Sequence, residues 1–319
     1  MRDKAKDLVV GKKIDSDYLL TVAKTGVTVK GTGFLIGSIS DITGSMHAVW
    51  WEYDGKPYSG VVHIVGEVET DKRNGGTQLK IQSISPRTTT SDEEFEKISK
   101  HDPESMWQTI QTAITNIDNA DIRMVLSCIF YDDRYTEAFK CSPAATGMHH
   151  AFKHGLLEHT SQMVETVDAL FKLHCYYSNL NKDLCMFGVL MHDFCKIFEY
   201  SQKIGYPKTI QGILVPHIPM GGAIIYETCV RFGVPEVIRD HMMHVVLAHH
   251  GQQEYGSPVD MAIPEAGFVH YIDHLHGDVF GWLQKIETSK GEFEQVFNRK
   301  LVVKRFDDIL QEIARGNML

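Results

Sequence analysis

The stretch that decides the fold is Phe187-Gly-Val-Leu-Met-His-Asp-Phe-Cys-Lys196. It is apolar enough to be buried, yet it holds a histidine and a carboxylate side by side, His192 and Asp193. Burying an ionised carboxylate costs several kcal/mol unless a partner or a metal ion offsets the lost hydration. The segment therefore predicts a buried polar centre around Asp193.

The second part of the chain supplies candidate partners for that centre. Of the 17 histidines, only His47 and His63 precede residue 90. Imidazoles and carboxylates together suit divalent ions such as Mn, Fe, Co, Ni, Zn or Mg, and no cysteine quartet points to a structural zinc. The candidate ligands that accompany the central pair are His159, His217, His249, His250 and Asp273.

The first 87 residues read as a small β-domain. Five segments rich in Val, Ile, Thr and aromatic residues alternate with Gly, Asp, Asn and Pro breakers. Such a pattern favours a closed barrel of the OB type, a fold that binds single-stranded nucleic acid, although an SH3-like barrel would give a similar pattern. The predicted strands are Tyr18–Lys30, Gly33–Ser40, Met46–Glu52, Val61–Thr70 and Gln78–Ile84.

Helical periodicity follows the β-domain. Residues 88–145 are predicted to be a linker and a helical lead-in, and residues 146–319 an all-α domain. The fold class is therefore multidomain α+β. The predicted helices are roughly 104–117, 120–131, 152–177, 181–195, 218–232, 235–249 and 262–284, with a last one over Phe293–Arg315.

Charge and cysteine content narrow the functional class. The net charge is −9, divided as +2 over residues 1–90 and −11 over the remainder, which argues against a broadly basic nucleic-acid clamp. Bound divalent metals would locally reverse the sign of the charge in an acidic pocket.

No export signal or membrane segment is evident, and six irregularly spaced cysteines suggest reduced thiols in a cytoplasmic protein. Cys195 is either a small buried hydrophobe or, since it lies near His192, a ligand or nucleophile.

The ordered set of histidines and aspartates resembles the HD-domain phosphohydrolase superfamily over about residues 145–285. The resemblance implies two divalent ions, with manganese favoured, and catalytic roles for Asp193 and for Lys196, which would meet a substrate phosphate oxygen. The first ion would take His159, His192, Asp193 and Asp273, and the second Asp193, His217, His249 and His250.

A closer resemblance is to the YhaM-type 3′→5′ exoribonucleases, which join an N-terminal OB fold to a C-terminal HD domain. Two departures from that family's pattern are His154, where glycine is expected, and Phe194-Cys195, where Ile-Gly is usual. The matching strings are Pro143-Ala-Ala, His149-His-Ala-Phe, Gly155-Leu-Leu-Glu-His-Thr, Ala248-His-His-Gly, Glu254-Tyr-Gly-Ser-Pro and Pro264-Glu-Ala with His270-Tyr-Ile-Asp.

These features predict a metal-dependent 3′→5′ exonuclease that hydrolyses single-stranded RNA, with DNA left open, to nucleoside 5′-monophosphates. Two alternatives remain at this point: a phosphohydrolase of a small nucleotide or cyclic dinucleotide, and a non-catalytic single-strand-binding protein. No membrane partner is expected, and a homo-oligomer is left open.

Adjacent Trp50 and Trp51 point to opposite faces of a strand, so one of them belongs to the core. The candidate substrate-binding residues are Phe34, Trp50, Trp51, Lys72, Arg73, His149, His150, His154 and Lys196.

Overall fold

A computed structural model describes residues 3–72, 75–89, 91–92, 94–145, 150–173, 175–288, 293–296 and 299–315. The chain forms two compact units. One comprises Met1–Ile98 with Ser201–Pro207, and the other Ser99–Tyr200 with Lys208–Leu319. Each unit has its own hydrophobic core.

The first unit is a closed barrel of five strands in the order β1-β2-β3-β5-β4. β1 closes it by pairing antiparallel with both β2 and β4. β3 and β5 pair in parallel, which an antiparallel SH3-like meander would not contain. The prediction of an OB-type barrel is therefore confirmed. The strands are β1 (Lys13–Val27), β2 (Gly33–Asp41), β3 (Gly44–Trp50), β4 (Gly60–Thr70) and β5 (Thr77–Pro86).

The barrel interior is filled by alternate residues of the strands, as the period of two requires. Leu35 and Ile39 of β2 and Ile64 of β4 are fully buried. β1 is bent by a register shift between Val22 and Lys24. A Cβ at Gly37, on the facing strand, would lie 2.2 Å from the carbonyl oxygen of Thr21, so only glycine permits this close approach.

The second unit is mainly helical. Asp102 caps its first helix by accepting a hydrogen bond from the Ser105 amide, as an Asp before Pro103 predicts. The helices are α1 (Pro103–Thr115), α2 (Ala120–Phe130), α3 (Thr136–Cys141), α4 (Gly155–Leu173), α5 (Lys182–Met191), α6 (Lys196–Glu199), α7 (Ile210–Leu214), α8 (His217–Phe232), α9 (Glu236–Leu247), α10 (Pro264–Thr288) and α11 (Phe306–Ala314).

Helix α5 is the centre of this unit. Every residue from Leu184 to Met191 is buried, which is the pattern of a helix surrounded by others. Its neighbours include α4, α9 and α10. A Cβ at Gly188 would lie 2.5 Å from a methyl group of Val269, so glycine lets α5 and α10 approach closely. The His192-Asp193 pair follows α5 directly and is thereby placed inside the core.

The predicted helix over Phe293–Arg315 is wrong in its first half. Residues Phe293–Val296 form β6 and Arg299–Val302 form β7, an antiparallel pair, and only α11 is helical. The β-branched residues Val296 and Val302 favour strands. Val302 pairs with Phe293 and Val296 pairs with Arg299, so the two strands satisfy each other's backbone groups. None of the helices described is long and apolar enough to cross a membrane.

Candidate metal centre

Seven polar side chains converge near the C-terminal end of α5, and they come from five different helices or their ends. Five are more than nine-tenths buried, His250 and Asp273 are half-buried, and all seven are those that the sequence singles out. They are His159 in α4, His192 and Asp193 after α5, His217 at the start of α8, His249 and His250 after α9, and Asp273 in α10.

Asp193 lies between two groups of potential ligands. One group is His159, His192 and Asp273, and the other is His217, His249 and His250. Asp193 Oδ2 faces the first group, 3.4 Å from His192 Nε2 and 4.0 Å from His159 Nε2. Asp193 Oδ1 faces the second, 3.4 Å from His217 Nε2 and 3.9 Å from His249 Nε2. We call these the first and the second cluster.

Backbone carbonyls fix the tautomer of three of the histidines. His192 Nδ1–H donates to the carbonyl of Val189 at 3.0 Å, and His249 Nδ1–H donates to that of Val246 at 2.7 Å. His250 Nδ1–H donates to the carbonyl of Tyr255 at 2.9 Å. With the proton on Nδ1, the lone pair is on Nε2, which is the atom that a metal ion would use.

The donor atoms fit a divalent ion in each cluster. His217 Nε2 and His249 Nε2 are buried and have no hydrogen-bond partner among the residues described. In the first cluster His159 Nε2 lies 3.2 Å from His192 Nε2 and 3.2 Å from Asp273 Oδ1. Ligands about 2.1 Å from a common ion are separated by about this distance. Nitrogen and carboxylate donors in these proportions suit Mn, Fe, Co, Ni or Zn.

The electrostatics keep Asp193 ionised and His249 neutral, which are the forms of these two side chains that bind metal. Burial would raise the pKa of Asp193, but Lys196, His192 and His217 outweigh it and hold the pKa well below its usual value. Lys196 is the closest of these, with Nζ 2.6 Å from Asp193 Oδ2. Burial, with neighbouring histidines, lowers the pKa of His249, so its imidazole is neutral. The centre thus combines ionised carboxylates with a neutral imidazole donor.

Comparison with known proteins agrees with this geometry. The family model described as HD domain matches residues 155–278, which include all seven converging side chains. The 3′-5′ exoribonuclease YhaM of Geobacillus sp. (strain WCH70) is 30% identical over 96% of this chain and 97% of its own length. This chain belongs to the YhaM family. The YhaM protein of Halalkalibacterium halodurans is 33% identical over 90% of each chain.

Membership of the YhaM family confirms the predicted HD-superfamily enzyme and the resemblance seen in the sequence. Among solved structures, the second OB-fold domain of replication protein A from Methanococcus maripaludis is 18% identical over 28% of this chain and 99% of its own, with a TM-score of 0.22. A TM-score that low carries no conclusion. The OB assignment of this YhaM-family protein rests on its own strand order.

Three residues predicted to bind substrate lie just before α4. The side chain of His150 has no exposed surface: its ring stacks on that of Phe280 at 4.0 Å between ring centres, and its Nε2 lies 3.6 Å from Glu158 Oε1. The structure therefore gives His150 no exposed surface for the predicted contact with substrate. His149 lies outside the described residues. His154 Nδ1–H donates to the carbonyl of Lys140 at 2.6 Å.

The barrel residues predicted to bind substrate differ in how far their side chains are exposed. Trp50 is only 6% exposed and packs against Tyr53 and Tyr58, so its predicted stacking on bases is wrong. Trp51 is 42% exposed and lies 6.3 Å from the ring of Phe34, which is half-buried. Lys72 is exposed, and Arg73 lies outside the described residues. Of the aromatic residues predicted to bind substrate, Trp51 and Phe34 are therefore the two with accessible surface.

The departure at Phe194-Cys195 does not add a ligand. Phe194 is buried; its ring stacks on that of Phe139 at 5.4 Å and contacts that of Phe130 at a tilt, with 4.9 Å between ring centres. Cys195 is buried among apolar side chains, and burial raises the pKa of its thiol. A thiol in that environment is inert, so Cys195 is a small buried hydrophobe and neither a ligand nor a nucleophile.

Sequence reasoning missed Glu199, the last residue of α6. Its Oε2 accepts a hydrogen bond from His217 Nδ1–H at 2.6 Å and its Oε1 accepts one from Lys208 at 2.9 Å. Burial would raise the pKa of Glu199, but these two partners outweigh it and lower the pKa to about 2. The only sign of Glu199 in the sequence is a carboxylate about one helical turn beyond Lys196. A lone carboxylate does not show whether it is a buried partner of a histidine or an ordinary surface residue.

His154 departs from glycine at a position where glycine has a physical advantage. Its φ is +67°, in the left-handed region that costs a non-glycine residue about 1 kcal/mol. We expect His154→Gly to be more stable than His154→Ala by about that amount, since both lose the ring and only glycine relieves the backbone. Urea denaturation of the two variants measures the difference. An equal or more stable alanine variant would contradict it.

Proposed function

We propose that this protein is a 3′→5′ exonuclease that uses two divalent ions to hydrolyse single-stranded RNA to nucleoside 5′-monophosphates. The observation that carries the proposal is Asp193, whose two oxygens face two separate clusters of nitrogen and carboxylate donors. One bridging carboxylate between two such clusters is the arrangement that dinuclear phosphodiesterases need. The relatives named 3′-5′ exoribonuclease support the polarity and the substrate class.

The proposed first site is His159, His192, Asp193 and Asp273, and the second is Asp193, His217, His249 and His250. Bound there, two ions would position a phosphodiester, lower the pKa of a water molecule towards neutrality and neutralise charge on the leaving 3′-oxygen. Manganese remains the favoured ion, since a mixed imidazole and carboxylate set accepts it readily.

Lys196 supplies a positive charge beside the proposed bridge. Its side chain is 12% exposed and its Nζ is 2.6 Å from Asp193 Oδ2. Through this contact Nζ is held where a phosphate next to Asp193 would come within hydrogen-bond reach. We assign it the stabilisation of charge that develops on a non-bridging phosphate oxygen during attack.

The barrel would supply affinity for the strand that is being shortened. OB barrels bind single strands by stacking bases on exposed aromatic side chains, and Trp51 with Phe34 offers such a surface. Neither aromatic side chain distinguishes ribose from deoxyribose, so the proposal leaves single-stranded DNA open as a second substrate. The cysteines described as free thiols agree with a cytoplasmic location.

The adjacent tryptophans give a matched pair of variants. Trp51→Ala is expected to weaken binding of a single-stranded oligonucleotide by about 5- to 150-fold, because one stacked base contributes about 1–3 kcal/mol. Trp50→Ala should instead lower the free energy of unfolding by about 3–5 kcal/mol, because it empties the barrel core. Fluorescence anisotropy and urea denaturation measure the two effects. Wild-type affinity in Trp51→Ala would contradict the proposed stacking surface.

A product assay tests the activity. Metal-loaded protein is incubated with one RNA labelled at its 5′ end and the same RNA labelled at its 3′ end. The 3′ label should appear at once in a mononucleotide, while the 5′-labelled strand shortens in single steps. Internal cuts, or intact RNA together with rapid turnover of a mononucleotide or cyclic dinucleotide, would overturn the proposal in favour of another phosphohydrolase.

A further inference from the structure

His217 differs from the other histidines of the second cluster in how its ring is held. His249 donates to the carbonyl of Val246, three residues earlier in the preceding helical turn. His217 is the first residue of α8 and has no preceding turn of its own helix. Its Nδ1–H donates to the carboxylate of Glu199 instead. An acceptor from elsewhere in the chain is needed here, and Glu199 provides it.

We propose that Glu199 is a positioning residue that sets the metal affinity of the second cluster through His217. Its Oε2 lies 2.6 Å from His217 Nδ1, and His217 Nε2 lies on the other side of the ring, 3.4 Å from Asp193 Oδ1. A carboxylate in this position fixes the ring, keeps the proton on Nδ1 and makes Nε2 a stronger donor. The inference rests on the proposed dinuclear centre.

The surrounding segment is built to hold Glu199 in place. Its side chain is almost wholly buried, and Lys208 Nζ donates to its second oxygen at 2.9 Å. A Cβ at Gly212 would lie 2.5 Å from the Cα of Glu199 and 2.7 Å from its carbonyl oxygen. The Thr209 amide donates to that carbonyl oxygen, and the Thr209 hydroxyl accepts from the Gly212 amide. Gly212 is therefore the residue that lets this segment pack directly on Glu199.

Two kinds of variant separate the charge of Glu199 from its position. Glu199→Gln keeps an acceptor for His217 Nδ1–H but removes the negative charge. Gly212→Ala keeps the carboxylate and forces the backbone of Glu199 to move. The control is Asp183→Asn, which loses a carboxylate that accepts a hydrogen bond from the Asn119 amide at 2.7 Å and belongs to neither cluster. Asp183→Asn should lower stability without changing metal affinity.

The experiment is calorimetric titration of the full-length, metal-stripped protein with Mn²⁺. Wild type should bind two ions, and the reference variants Asp273→Asn and His250→Ala assign the two binding steps to the first and second cluster. Glu199→Gln and Gly212→Ala should each weaken the second-cluster step by about 10- to 100-fold and leave the other within about twofold.

The outcomes distinguish this inference from the proposed function. If wild type binds two ions and both Glu199→Gln and Gly212→Ala retain its affinities, the positioning role is wrong while the dinuclear centre stands. If wild type binds one ion or none, the dinuclear centre itself fails. Circular dichroism confirms that each variant is folded, and should one of the two not fold, the titration of the other decides.

Discussion

Asp193→Asn is expected to lower the rate of RNA shortening by about 10³-fold or more while the protein still binds a single-stranded oligonucleotide. Asparagine has nearly the same shape as aspartate but is neutral and presents one oxygen instead of two. Since each carboxylate oxygen of Asp193 faces a different cluster, the substitution affects both at once. Gel assays of labelled RNA measure the rate, and anisotropy measures binding.

Stability has to be separated from catalysis in this experiment. Asp193 pairs with Lys196, and removing one partner of a buried ion pair costs about 3–5 kcal/mol because the other charge is left alone. The double variant Asp193→Asn/Lys196→Met removes both charges and should recover much of that loss. If the double variant is inactive but nearly as stable as wild type, the loss of RNA shortening is a loss of catalysis and not of folding. Turnover within tenfold of wild type in Asp193→Asn would show that Asp193 is not the bridge.

Removal of metal is expected to abolish turnover and to lower the melting temperature. Without a cation, His217 Nε2 and His249 Nε2 remain buried without a hydrogen-bond partner among the residues described, and such groups destabilise the fold. A ligand present at about 1,000 times its dissociation constant stabilises the folded state by about 4 kcal/mol. Differential scanning fluorimetry with and without a chelator measures the shift.

Two controls sharpen the chelation experiment. Adding Mn²⁺ back should restore both activity and melting temperature, which separates loss of metal from damage by the chelator. Asp193→Asn should show a smaller chelator-induced shift than wild type, because its metal affinity is already reduced. Full activity in protein shown by elemental analysis to be free of metal would contradict the metal centre.

The barrel and the centre could be foreseen because each leaves a local signal. Alternating strands separated by Gly and Asp turns predict a small barrel, and a carboxylate inside the apolar run of α5 predicts a buried partner. The order of His159, His217 and Asp273 around that run resembles the HD superfamily, and that resemblance implies which residues converge. Backbone pairing alone showed the OB topology, since the parallel β3–β5 contact joins segments that are distant in sequence.

Other features depended on tertiary packing and left no such signal. The alternation of side chains along the predicted strand Met46–Glu52 shows that Trp50 and Trp51 face opposite sides of the sheet, but not which side faces the barrel interior. His150 reads as a polar residue next to a motif, yet its ring is packed on Phe280. Glu199 acquires its role only because α8 begins at His217, so that the histidine needs an acceptor from outside its own helix.

The most direct test of the central claim is a crystal structure of the manganese-loaded protein with data collected above and below the manganese absorption edge. Two anomalous peaks should appear, one beside each carboxylate oxygen of Asp193. The first should contact His159, His192 and Asp273, and the second should contact the histidines of the second cluster. A single peak, or two peaks that do not share Asp193, would contradict a dinuclear centre bridged by this residue.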